Sequence, residues 1–254
     1  MKDFHTHPNL LKKPAQAEAF ITKAIQLGFQ EIYFTDHMPF RVTGDESDRI
    51  PFGGVSAYCL AVSAVAEKYA GQISVRTGIE IDYWPKCRNE IEEILAEGDF
   101  DYILGSSHLD IKGFQIPFGS LTRTDYARRV LENYISAAES GYFHALSHLD
   151  IYRWPFCEPE RFPFQSGDFR WECCVDLYRE LFRQMQAKKL KLELNAAPLY
   201  KKFDSLGIYP QDGILELSRE YGLSYVYGSD AHKPEYVGYG YETVKQKVLW
   251  TVLP

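Results

Sequence analysis

Seven short apolar runs, most of them closing on a histidine or an acid, alternate along the chain with longer amphipathic segments. Runs of four or five residues suit buried strands, and the segments between them have the length of crossover helices. The alternation therefore predicts parallel strands joined by helices. The strand candidates are residues 2–5, 31–35, 74–78, 102–106, 145–148, 191–194 and 224–228. Helix candidates fall at about 15–27, 56–70, 86–97, 123–140, 168–188, 211–221 and 240–249. Gly28, Gly141 and Gly222 stand where helices pass into strands, and glycine there takes the left-handed conformation that ends a helix. Seven such units build either an α/β barrel or an open doubly wound sheet, and periodicity alone does not separate the two.

The polar residues favour the barrel. Behind the successive strand candidates stand His5 and His7, Asp36 and His37, Glu80 and Asp82, His108 and Asp110, His148 and Asp150, Asn195, and Asp230 and His232. In an α/β barrel the loops after the strands open on one face, so groups far apart in sequence become neighbours. Six of the seven histidines lie at these positions, His144 being the exception. Imidazole nitrogens mixed with carboxylates suit zinc, manganese or iron. In an extended chain the two histidines of His5-x-His7 point to the same side, and Asp230-x-His232 repeats the arrangement. Each signal alone is weak, since an isolated histidine is more often structural. Their recurrence after successive strands points to a metal site. Asp36, Asp82, Asp110 and Asp150 are equally well read as acids that orient neighbouring imidazoles.

A chain of 254 residues that is 45% hydrophobic and 25% charged can bury a large core, so residues 1–254 are expected to form one domain. A net charge of −7 offers no basic field for a phosphate backbone, and nucleic acid is not an expected partner. Five cysteines without a CxxC pair, and no apolar run near the ~18 residues of a membrane span, suggest a cytoplasmic protein. Residues 154–164, rich in proline and phenylalanine, read as one long surface loop of the kind that often covers a site.

The strings DFHTH at 3–7, FTDH at 34–37, GIEIDY at 78–83, GSSH at 105–108, SHLDIYR at 147–153, ELN at 193–195 and GSDAHKPEYVGYGY at 228–241 occur in this order. Together they resemble the PHP (polymerase and histidinol phosphatase) family, and most closely its histidinol-phosphate phosphatase branch. The resemblance implies a distorted seven-stranded, TIM-like (β/α)7 barrel holding two or three divalent ions, zinc, manganese or iron. By that likeness His5, His7, Glu80 and Asp230 surround a first metal, and Glu80 bridges to a second held by His108 and His148. A third would use His37 and His232. Arg153 occupies a position where the family places a basic residue near the substrate phosphate. One position departs from the family pattern, because no histidine follows the His-x-His pair within residues 9–14. Water or another side chain would complete the third site, or that site is weak or empty. Lys12 or Lys13 is an alternative source of charge for the phosphate.

The activity so implied is hydrolysis of a phosphate monoester by metal-activated hydroxide, with Glu80 and Asp230 in catalytic positions. L-Histidinol phosphate, from histidine biosynthesis, is the leading substrate. The alternatives are another small phosphorylated metabolite, phosphotyrosine, or a catalytically silent metal-binding module.

Overall fold

The computed structural model describes residues 1–41, 48–108, 118–201 and 203–248. Its strands are β1 (Lys2–Thr6), β2 (Glu31–Phe34), β3 (Ser74–Asp82), β4 (Tyr102–Ser106), β5 (Ala145–Leu146), β6 (Lys191–Asn195) and β7 (Tyr225–Gly228). They lie side by side in sequence order and every pairing is parallel. An open doubly wound sheet would reverse its order part-way; this one returns to its first strand instead. The amide of Asp230 donates to the His5 carbonyl, and that of His7 to the Ala231 carbonyl, each at 2.8 Å. A parallel bridge joins Thr6 to Ala231. The sheet is a nearly closed seven-stranded barrel.

The helices are α1 (Pro14–Gln26), α2 (Val55–Lys68), α3 (Arg88–Glu97), α4 (Arg123–Ser140), α5 (Arg153–Phe156), α6 (Val175–Lys188), α7 (Asp212–Arg219) and α8 (Tyr241–Lys247). Local chemistry sets their ends. Pro14 opens α1, where its missing N–H costs no hydrogen bond. Thr122 and Asp125 cap α4 reciprocally, and Gly141 at φ 79° ends it. Gly28 and Gly222 also have positive φ, as their places after helices predict.

Three expectations need correction. The third strand is longer than residues 74–78, because its first half pairs with β2 and its second half with β4; Glu80 and Asp82 are strand residues. The helix expected from residue 168 begins only at Val175, after a 3-10 turn over Trp171–Cys174. Arg170 is extended, at φ −130° and ψ 135°, and the non-helical stretch lets Phe169 pack on Tyr152 and Phe156. Residues 154–164 are not simply a surface loop. They begin inside α5, and Phe162 is buried against Phe118 and Trp154.

Most of the core lies between strands and helices, where Phe20, Tyr58, Ile91, Leu131 and Phe182 meet Ile32, Ile79, Ile81, Leu192 and Leu194. A second, smaller cluster of Phe4, Tyr102, Leu104, Ala145 and Val226 fills the inside of the barrel. Leu104 and Val226 are the register partners of Glu80 and Glu193. Paired residues share a face of the sheet, so both carboxylates point inward over an apolar floor. A register irregularity in β1 between Asp3 and Thr6 lets Phe4 join that floor while His5 reaches the carboxylates. Among the described residues no helix is long and apolar enough to cross a membrane.

Candidate metal centre

His5 and His7 bring their Nε2 atoms within 2.8 Å of each other. Glu80 Oε2 lies 3.4 Å from both and 2.9 Å from His37 Nδ1. Glu80 Oε1 lies 3.1 Å from His148 Nε2. Asp230 Oδ1 completes the group at 3.6 Å from His7 Nε2 and 3.4 Å from His232 Nδ1. The rings of His37 and His232 flank that of His7, with centroids 4.2 and 4.3 Å away. Among the described residues Asp230 is one of three non-glycine residues with positive φ, a strained backbone at the point where its side chain turns into the cluster.

Among the described residues, ligand atoms within 4.8 Å of one another form three groups: His5, His7 and Asp230; His5, Glu80 and His148; and His7, His37 and His232. The third group takes its extra side chain from His7. His108 lies beside the cluster, its ring 4.7 Å from that of His148.

These donors fit divalent cations. Glu80 Oε2, His7 Nδ1 and His37 Nδ1 are buried without an aligned hydrogen bond, although the first and last lie 2.9 Å apart, an arrangement that is costly unless a charge satisfies them. Burial and the neighbouring His37, His232 and His5 hold His7 well below the usual imidazole range. Burial first, then Lys201 and His37 acting against Asp230, brings His232 down to about 4. Both rings are therefore neutral at pH 7, the form that lends a lone pair to a metal. Burial opposes ionisation of Glu80, yet His37, His5 and His148 keep its carboxyl well below the usual range. Asp230 is likewise buried and held low, by Lys201, His5 and His232.

The acids near the ligands divide by partner. Asp82 accepts from His108 Nδ1 at 2.7 Å and from Arg49 Nη2 at 3.2 Å, so it orients an imidazole. Asp36 accepts from the amides of Asn9 and Leu10 and ties down the loop after β1. Asp150 faces Arg153. Asp110 lies outside the described residues.

The Arg153 guanidinium, expected near the substrate phosphate, is turned to the protein. It donates to the carbonyls of Leu206 and Ile208 at 2.7 and 2.6 Å and meets Asp150 at 2.6 Å. Lys12 and Lys13 are exposed. Among the described residues the cations lining the cavity beside the cluster are Arg49 and Lys201, and the latter reaches Asp230 Oδ2 at 3.4 Å. This cavity, about 410 Å³, is also lined by Trp154, Phe203 and Tyr209.

Sequence reasoning passed over Glu193, Arg49 and Lys201. Glu193 accepts from His5 Nδ1 at 2.6 Å and from the His148 amide at 2.9 Å. An acid between Leu192 and Leu194, within the quoted string ELN, was the available signal. Arg49 and Lys201 sit in loops, where no periodicity marks them.

The PHP domain family matches residues 3–197, which is most of the chain. This chain belongs to the PHP family. A PHP-associated region matches residues 213–249, which contain all but the first residue of α7, together with β7 and α8. The PHP chain is 30% identical over 258 residues to the “Probable histidinol-phosphatase” of Deinococcus radiodurans, covering 96% of this chain and 91% of that protein. It is 25% identical to the histidinol-phosphatase of Bacillus subtilis, over 90% of this chain and 91% of the relative. In fold it is similar to the histidinol phosphate phosphatase of Lactococcus lactis, whose crystal structure contains Zn, L-histidinol and phosphate. That likeness has a TM-score of 0.72 at 20% identity and covers 97% of this chain and 93% of the other.

Proposed function

We propose that this PHP chain is a metal-dependent phosphatase that hydrolyses L-histidinol phosphate to L-histidinol and phosphate. The carrying observation is the inward-facing Glu80, whose orphaned Oε2 lies within 3.4 Å of His5, His7 and His37 at the edge of the cavity. Curated relatives that cover nearly the whole chain and bear the histidinol-phosphatase name supply the substrate. We read residues 1–254 as one PHP-type unit, since β7 closes the barrel against β1.

His5, His7, Glu80 and Asp230 would hold one cation, and Glu80, His148 and His108 a second. The all-imidazole group of His7, His37 and His232 would hold a third. When bound, zinc, manganese or iron would lower the pKa of water to roughly 7–9 and offset the charge on the phosphoryl oxygens.

The side chains contribute the rest. Glu193 and Asp82 accept hydrogen bonds from Nδ1 of His5 and His108 and so aim the opposite nitrogens inward. Arg49 and Lys201 supply positive charge to a phosphate entering the cavity. Asp230 is ionised at neutral pH and is our candidate to accept a proton from the attacking water. Trp154, Phe203 and Tyr209 give the organic part of the substrate an apolar wall.

Purified enzyme treated with a chelator should lose phosphatase activity and regain it with manganese or zinc; activity indifferent to chelation would end the reading. In a panel of esters, histidinol phosphate should exceed phosphotyrosine and p-nitrophenyl phosphate in kcat/KM. Equal rates across the panel would remove the substrate assignment and leave the reaction class.

A further inference from the structure

We propose that Arg153 and Asp150 clamp the segment between β6 and α7, and through it position Lys201, Phe203 and Tyr209 at the mouth of the cavity. The inference rests on the phosphatase reading and adds two positioning residues to it.

Arg153 opens the one-turn helix α5 behind β5 and is only 9% exposed. A guanidinium buried that far is costly unless its charge and its donors are met. Asp150, fully buried, answers the charge at 2.6 Å. The two terminal nitrogens go to the carbonyls of Leu206 and Ile208. A planar fork suits two acceptors two positions apart in the chain, and a lysine ammonium cannot span both while keeping the carboxylate. Asp150 Oδ2 also accepts the amide of Gln211, the residue before α7, at 3.0 Å. The Tyr209 ring lies beneath the guanidinium, 5.0 Å from it.

The held segment supplies much of the cavity wall. Lys201, Phe203 and Tyr209 all line it, and Lys201 reaches Asp230 in the metal cluster. Asn195, at the end of β6, pairs in both directions with the main chain of Tyr209. That pairing fixes one point. The clamp fixes the chain on either side of it, at Leu206, Ile208 and Gln211. Arg153 would therefore act on phosphate through Lys201 and Tyr209 instead of touching it.

Two experiments test this. In the first, KM, kcat, inhibition by inorganic phosphate and metal content are measured for manganese-loaded wild type, R153K, K201M and the double variant. Each single change should raise KM about tenfold with a smaller loss of kcat and unchanged metal content, and the double variant should be little worse than the poorer single one. Multiplying effects would mean that Arg153 meets the phosphate independently, and would overturn the clamp, as would an R153K enzyme with wild-type constants.

The second measures hydrogen exchange in R153K and in the milder D150N, and needs no turnover. Amides of residues 203–211 should lose protection at least tenfold in both while β1–β4 keep theirs. Unchanged protection there overturns the proposal. Wild-type protein lacking phosphatase activity would overturn the function above, with the exchange result still deciding the clamp.

Discussion

Glu193 shows how much of a metal site lies behind its ligands. Its carboxylate accepts hydrogen bonds from His5 Nδ1 and from the amide of His148, so one acid ties together a histidine of β1 and the histidine that follows β5. Replacement by Gln keeps the size but removes the charge opposite His5. Glu193→Gln should lower metal affinity or turnover about 10–100-fold, the usual effect of losing such a partner. Titration of metal content against free zinc or manganese checks this, and an unaltered binding curve would show the contact to be dispensable. Glu80→Gln and His108→Ala should be harsher, cutting turnover by orders of magnitude with little unfolding, because they remove side chains we propose as ligands themselves. Circular dichroism beside steady-state rates separates the two losses, and near-normal rates in both variants would mean a misassigned site.

The strand ends determine what can stand in the barrel. β7 closes on Gly228, where a Cβ would lie 1.9 Å from Glu193 Oε1 and 2.8 Å from the His5 Cβ. Gly228→Ala would push the orienting carboxylate and the first ligand strand apart, lowering both the melting temperature and the metal content. Gly222 is the control. It has φ 60° and open space around its missing side chain, so Gly222→Ala should cost about 1–2 kcal/mol of backbone strain and leave metal content alone. Thermal melts with elemental analysis distinguish them, and equal metal content in the two variants would contradict the packing argument. Most element positions were legible because apolar runs and glycine stops report local preferences. The late start of α6 was not, since Phe169 packs on Tyr152 and Phe156 from a backbone that is not helical.

Over the whole molecule, burial of phenols and a thiol sets an alkaline limit. Burial raises Tyr58, Tyr152, Tyr178 and Tyr227 well above their ordinary 10.0, and Cys174 from 9.0 to about 11. Below pH 9 both folded and unfolded chains keep these protons. As pH climbs through 9 and then 10 the unfolded chain releases them first, so it binds fewer protons and stability must fall. The melting temperature should drop steadily as pH rises from about 9 through about 10, with tyrosinate absorbance appearing only as the protein unfolds; a flat profile would refute this.

By itself the sequence determined the seven β–α units, the strand-end histidines and acids, and through their order the family, because periodicity, turn residues and motif strings are properties of short stretches. Only the tertiary structure decided that Arg153 faces carbonyls from residues more than fifty positions away, that Arg49 and Lys201 line the cavity, and that Glu193 aims His5. Those outcomes depend on which distant groups barrel closure brings within hydrogen-bonding distance, and no local pattern encodes that.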